Sequence, residues 1–293
     1  MSITAEVVRQ LREETGAGMM DCKAALVETS GDMAKAREVL RKKGLAAAAK
    51  KASRVASDGA VGAHIASDGK SGVVVEVNCE TDFVAKTPDF QGLVKSIAEH
   101  IWKNDPADVA ALLEQPFGPG QTVGQAVQEK IALIKENIVI RRFARFALAA
   151  ADKGTVAAYI HPPAAKVGVL VELAAEADGA DLQALAREVA MHVAASSPVY
   201  VSKDEVPAEV LAAEKEIYRA QALASGKPAN VVDKIAEGKL KEYFATFCLV
   251  DQPYFREPKL TLGQHLKGKA SVRRFAYMRL GEGPAATKPA TEQ

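Results

Sequence analysis

The chain has 293 residues, 48% hydrophobic and 26% charged, which is enough for two or more domains with real cores and too apolar for a largely disordered polypeptide. Its 38 basic and 37 acidic residues nearly cancel, which argues against direct nucleic-acid binding by the chain as a whole. Three scattered cysteines (Cys22, Cys79 and Cys248), opening residues that read as an amphipathic helix, and no apolar run of membrane-spanning length point to a cytoplasmic protein.

The first ~45 residues predict three short helices. Ile3, Val7, Val8 and Leu11 form one stripe, ended by Gly16. A second helix spans about Asp21 to Thr29, which leaves Met19 and Met20 between helices, their flexible thioethers turned outward or one of them packed in the core. A third starts at Asp32 as N-cap, carries Met33, Ala36 and Leu40 on one face, and stops at Gly44. An alanine- and lysine-rich linker, Leu45 to Arg54, would follow. Residues 35 to 54 hold Lys35, Arg37, Arg41, Lys42, Lys43, Lys50, Lys51 and Arg54 against Glu38 alone, either a solvated face or a surface for an acidic partner.

Next comes a strand in which Val73, Val75, Val77 and Cys79 alternate with Val74, Glu76, Asn78 and Glu80, the pattern of a half-buried strand. It exits into Thr81, Asp82, Phe83 and Val84, an aromatic where a polar turn is expected.

Four segments then recur in the same order. "GVVVEVN" at 72–78 returns as "GVLVELA" at 168–174, and "DFQGLVKSIAEHI" at 89–101 as "DLQALAREVAMHV" at 181–193. "TVGQAV" at 122–127 returns as "TLGQHL" at 261–266, and "RRFARF" at 141–146 as "RRFAYM" at 273–278. Two related α+β subdomains follow, about 55–148 and 149–280, each a hairpin, a helix and a final element carrying paired arginines.

The copies differ in two places. From His192 to Thr261 is 69 positions against 22 from His100 to Thr122, so the second copy holds an insertion. Within about 199–247, "AEVLAAEKEIYRAQALA" and "NVVDKIAEGKLKEYFATF" flank "SGKP" and predict a helical hairpin suited to a partner or a second copy of the chain. Aligning Glu76 with Glu172 also sets Phe83 against Gly179, so the subdomain architecture does not require the ring, and Phe83 reads as displayed for contact. Residues 281–293 predict a disordered tail.

The chemistry of a catalyst is missing. No phosphate-binding glycine motif, CxxC pair or HExxH segment occurs, and the five histidines are scattered, with His100 and His192 at matching helical positions of the repeat. Cys79 reads as a buried strand residue rather than a nucleophile. No cofactor or metal is called for, and the chain is not expected to be an enzyme.

Two stretches, "LREETGAGMMDCKAAL" at 11–26 and "EVNCETDFVAK" at 76–86, closely resemble the two signature motifs of the bacterial elongation factor Ts family, the nucleotide-exchange factors of the translational GTPase elongation factor Tu (EF-Tu). The resemblance extends to about residue 283. It implies an N-terminal domain like a ubiquitin-associated (UBA) domain at 1–54, a core of two related subdomains, and an inserted antiparallel coiled coil. It further implies contacts to EF-Tu from Arg12, Met19, Met20 and Lys23, displacement of that partner's Mg²⁺ by Thr81, Asp82, Phe83 and Val84, and further contacts from Ile134 and His161. The coiled coil raises the prospect of a homodimer or a 2:2 complex. The competing readings are a helical adaptor without exchange activity and a hydrolase using Asp82 with His161.

Overall fold

A computed structural model describes residues 3–175 and 181–282. The described chain is mixed helix and sheet, and its residues divide into two compact units, 3–62 with 75–143 and 280–282, and 63–74 with 144–175 and 181–279. Neither unit is one stretch of chain, so the divisions differ from contiguous subdomains at 55–148 and 149–280.

In the first unit, α1 (Ala5–Thr15) begins at Thr4, whose hydroxyl accepts from the Val7 amide, and ends at Gly16. The next helix, α2 (Met19–Glu28), starts two residues earlier than its polar pattern indicates, so Met19 and Met20 form its first turn instead of lying between helices. Val8, Leu11, Cys22, Ala25, Leu26 and Ala36 make a small core of their own. Asp32 caps α3 (Met33–Lys51), which runs straight through Gly44 and turns most of the expected linker into helix. Ala46 to Ala49 favour helix strongly enough to carry it past one glycine. Gly44 serves packing: a Cβ there would lie 3.1 Å from that of Ala132.

Two strands follow, β1 (Asp58–Ile65) and β2 (Ser71–Cys79). Then come the single helical turn α4 (Asp82–Ala85), α5 (Pro88–Asn104), α6 (Val109–Glu114), α7 (Val123–Ile134) and β3 (Val139–Ala147). Gly62 lets α5 approach β1, since a Cβ there would meet Val94 Cγ1 at 2.4 Å. Helix α5 buries Phe90, Leu93, Val94, Ile97 and Ile101.

Strand β2, central in the order β1-β2-β3, is buried on both faces rather than half-buried as its alternation indicates. It is buried from Gly72 to Cys79, Glu76 and Asn78 included. Those polar groups are tolerated because they are paired. Arg142 donates to Glu76 at 2.8 Å, and Asn78 donates to the Asp58 carbonyl at 3.1 Å. The Gly281 amide, which the sequence assigned to a disordered tail, donates to Glu76 at 2.9 Å; residues 283–293 lie outside the described residues.

The second unit takes in the end of β1, the start of β2 and the end of β3, and from β4 onward the chain repeats the order of two strands and a helix. Strands β4 (Gly154–Ile160) and β5 (Val167–Ala175) pair antiparallel with Ala157 opposite Val171. Helix α8 (Leu182–Ser196) covers them, and its Val189, Ala190 and Val193 pack with Val169, Val171 and Leu173. The insertion folds as α9 (Ala208–Ala224) and α10 (Ala229–Phe247), which pack on each other and are linked by Arg219 to Asp233 at 2.6 Å. Residues 199–206 belong to the unit's base, because Tyr200 and Val201 accept from the amides of Leu249 and Val250. A small pair, β6 (Pro253–Tyr254) and β7 (Glu257–Thr261), leads into α11 (Leu262–Leu266) and β8 (Ala270–Arg279). Strand β8 pairs with β5, giving the order β4-β5-β8. Helices α7 and α11 start with the same capping box, Thr122 with Gln125 and Thr261 with Gln264. Gly179, the counterpart of Phe83 in the repeat, lies outside the described residues.

Candidate functional site

Strand β2 ends at Cys79, and the chain must leave a buried sheet within three residues. Thr81, in an extended conformation, stops the strand and caps the next turn, its hydroxyl accepting from the Val84 amide at 3.3 Å. The turn is fastened on several sides. The amides of Glu80 and Thr81 each donate to Glu136 Oε2 at 3.0 Å, and the Thr81 hydroxyl donates to Glu136 Oε1 at 2.6 Å. The Cys79 thiol donates to the Thr81 carbonyl at 3.2 Å. Burial, reinforced by the Glu136 carboxylate, pushes that thiol up to about 12, so it stays protonated and serves as a donor rather than a nucleophile.

From this anchored turn Phe83 projects with 79% of its surface exposed, while Val84 is half-buried and Ala85 buried beneath it. The ring is thus a large apolar surface left in water on a turn held from several sides. Asp82 forms an exposed ion pair with Lys86 at 2.6 Å.

A second exposed patch lies on α2 in the same unit. Met19 is 42% and Met20 75% exposed, so neither is a core residue. Met20, Lys23 and Val27 follow one another at helical spacing, all exposed. Val27 was missed in the sequence reading, although its position three to four residues beyond Lys23 and Ala24 was the available signal. Arg12, near the end of α1, is exposed as well. Ile134 is the last residue of α7, half-buried, and stands two positions before Glu136.

His161 belongs to the second unit, exposed after β4, where Nδ1 meets the Tyr159 hydroxyl at 3.0 Å. The hydrolase reading gains nothing from these positions, since the Asp82 carboxylate is engaged by Lys86 and His161 by Tyr159. Among the described residues, no group of three or more His, Cys, Asp or Glu side chains could hold a metal ion, and no helix is long and apolar enough to cross a membrane. His192 is fully buried, hydrogen-bonded to Gln252, and held below its ordinary pKa by burial.

Residues 80–282 match the sequence model of the family described as Elongation factor TS, beginning at the residue before Thr81. The chain belongs to the elongation factor Ts family. It is 48% identical to the elongation factor Ts of Halorhodospira halophila over 284 residues, 97% of this chain and 94% of that one. With that of Trichlorobacter lovleyi it shares 45% identity over 296 aligned residues, again 97% and 94% of the two chains. The elongation factor Ts of Clostridium perfringens strain 13 is 45% identical over 288 residues, covering 96% and 94%. These matches also take in the N-terminal helices that precede the family match. Membership places the chain in translation and protein biosynthesis, and both exposed patches lie within the matched length.

Proposed function

We propose that this chain is a non-enzymatic nucleotide-exchange factor that binds EF-Tu carrying GDP and promotes GDP release. The single observation that supports this most is Phe83, a bare phenyl ring on a turn fastened from several directions. A GTPase holds its nucleotide through phosphate contacts and a bridging Mg²⁺, so small shifts of the magnesium ligands weaken both. A factor that prefers the disrupted state must lose affinity when nucleotide rebinds, because coupling is reciprocal. A rigid aromatic wedge suits that task, having few rotors to order. In this reading Phe83 inserts into the partner and disturbs its Mg²⁺ site indirectly, with Thr81, Asp82 and Val84 shaping the turn.

The N-terminal helices then form a UBA-like docking domain whose Arg12, Met19, Met20 and Lys23 add affinity, with Ile134 and His161 as further contacts. Helices α9 and α10 act as an inserted antiparallel coiled coil that supplies partner contact or joins two copies in a 2:2 complex. The chain works in the cytoplasm and needs no cofactor of its own. Release of labelled GDP from EF-Tu tests the reading. Acceleration by catalytic amounts of the factor is expected; binding without acceleration would leave an adaptor instead.

A further inference from the structure

We propose that Glu136 is a positioning residue that presets the Phe83 turn for nucleotide exchange, a role that rests on the exchange reading. Three donors converge on its carboxylate: the Glu80 and Thr81 amides at 3.0 Å each and the Thr81 hydroxyl at 2.6 Å. An ionised carboxylate only accepts, and its two oxygens have room for all three. Bonds to a charged acceptor are also about twice as strong as neutral ones. The hydroxyl has one proton. Giving it to Glu136 fixes the rotor and leaves a lone pair for the Val84 amide, the bond that starts α4.

The restraint is reciprocal. Glu136 and Asn137 follow Lys135, whose left-handed φ of 68° ends α7 and turns the chain toward β3. The Asn137 amide donates back to Glu80 Oε1 at 2.7 Å. Asn137 Nδ2 in turn holds the Arg54 carbonyl at 2.8 Å, and Arg54 stands 3.6 Å from Glu80. Glu80 grips the backbone after α7, and Glu136 grips the backbone before α4. Phe83 lies two residues beyond this clasp and has almost no packing of its own to orient it. Its direction is therefore inherited from Thr81. A wedge ordered before contact avoids an ordering cost on binding, and an unclasped turn would pay that cost in the transition to the nucleotide-free complex.

Glutamine at 136 can accept both amides on its oxygen and donate to the Thr81 oxygen, so Glu136→Gln preserves the clasp, whereas Glu136→Ala removes it. The readout on the free chain is hydrogen exchange of the Glu80, Thr81 and Val84 amides by NMR, with the unfolding midpoint measured in parallel. Glu136→Ala is expected to speed exchange at these amides about 10-fold or more, with Glu136→Gln between it and wild type because a neutral oxygen accepts more weakly. At saturating factor, Glu136→Ala is expected to slow GDP release from EF-Tu about 10-fold, and Glu136→Gln to restore most of the rate. In a Phe83→Ala background, Glu136→Ala should add little, because its effect runs through the ring. Unchanged amide protection in Glu136→Ala would overturn the proposal, and so would an equal loss of rate with and without Phe83. If wild-type chain accelerates no GDP release, the exchange reading fails, while the amide measurement still decides whether Glu136 sets the turn.

Discussion

Arg142 Nε donates at 2.8 Å to the carboxylate of Glu76, a side chain with no exposed surface in the middle of β2. The repeat rebuilds this contact, with Arg274 Nε donating to Glu172 at 2.8 Å, so the paired arginines of "RRF" are the counterions of a glutamate one strand away. Removing the nearer arginine leaves the buried carboxylate to the farther one, Arg141 at 3.8 Å from Glu76 or Arg273 at 3.4 Å from Glu172, so much of its compensation is lost. Arg142 is 24% exposed and Arg274 49%, so water screens the second pair more. Arg142→Met is expected to lower stability by about 2–4 kcal/mol and Arg274→Met by about 1 kcal/mol. Denaturant midpoints of the two variants check this, and an equal or reversed order would contradict it.

The thiols give a pH dependence. Burial pushes Cys79 up to about 12 and Cys248 up to about 11. Unfolded cysteine loses its proton near 8.5, so the native state holds more protons between there and about 11 to 12. Stability contributed by these groups is complete below the unfolded pKa and falls as pH rises through that window, by at most about 1.4 kcal/mol per unit for each thiol. Cys79→Ala should flatten the alkaline arm of the stability curve. Thiol labelling of native protein at neutral pH should be slow at all three buried cysteines and fast after unfolding.

Much of this architecture is legible as pattern, and its failures have physical causes. The repeat is readable because the same buried contacts, such as Glu76 with Arg142 and Glu172 with Arg274, impose the same residues twice. The hairpin helices are readable from their 3.6-residue period and the "SGKP" break. Gly44 misled because a glycine that stops a helix and one that admits a neighbouring helix look alike until Ala132 is in place. Strand β2 misled because Glu76 and Asn78 are polar yet paired, and their partners lie far along the chain. Phe83 stood out locally as an aromatic in a polar turn. Glu136 did not, since its three donors are more than fifty residues away in sequence.

The helical insertion should be removable from Pro207 onward. Cutting from 199, where the sequence alone puts its start, would strip Val201 and the backbone bonds between Tyr200 and Leu249 from the base of the unit. Replacing 208–246 with a short Gly/Ser loop is expected to keep a cooperative unfolding transition while weakening binding to EF-Tu or self-association. Ultracentrifugation and calorimetry report the two outcomes. A broad, non-cooperative melt would mean that α9 and α10 complete the core.

In the proposed reading Met20 supplies docking surface and nothing that could disturb a nucleotide site. Its exposure implies that Met20→Ala leaves the melting temperature within about 1 °C, since surface changes rarely exceed ±0.5 kcal/mol. GDP release should slow at low factor concentration and recover at saturation, the mark of lost affinity alone. A rate that stays depressed at saturation would give α2 a part in the exchange step.

Phe83→Ala should do the opposite. The ring is 79% exposed, so truncating it opens no cavity and leaves the small core side chain Ala85 in place. The cap from Thr81 to Val84 and all three bonds to Glu136 involve atoms that the change does not touch. Thermal stability is therefore expected to stay at the wild-type value. If the ring wedges between packed elements of EF-Tu, its loss removes energy available only in the disrupted state, and added factor cannot make up for it. GDP release at saturating Phe83→Ala should fall by about 10-fold or more, equivalent to ~1.4 kcal/mol of coupling. Substitution with leucine should recover part of the rate, since an apolar branched side chain fills some of the same space. Equal rates for wild type and Phe83→Ala at saturation would end the wedge idea, and a collapsed melting temperature would mean that the ring supports the fold.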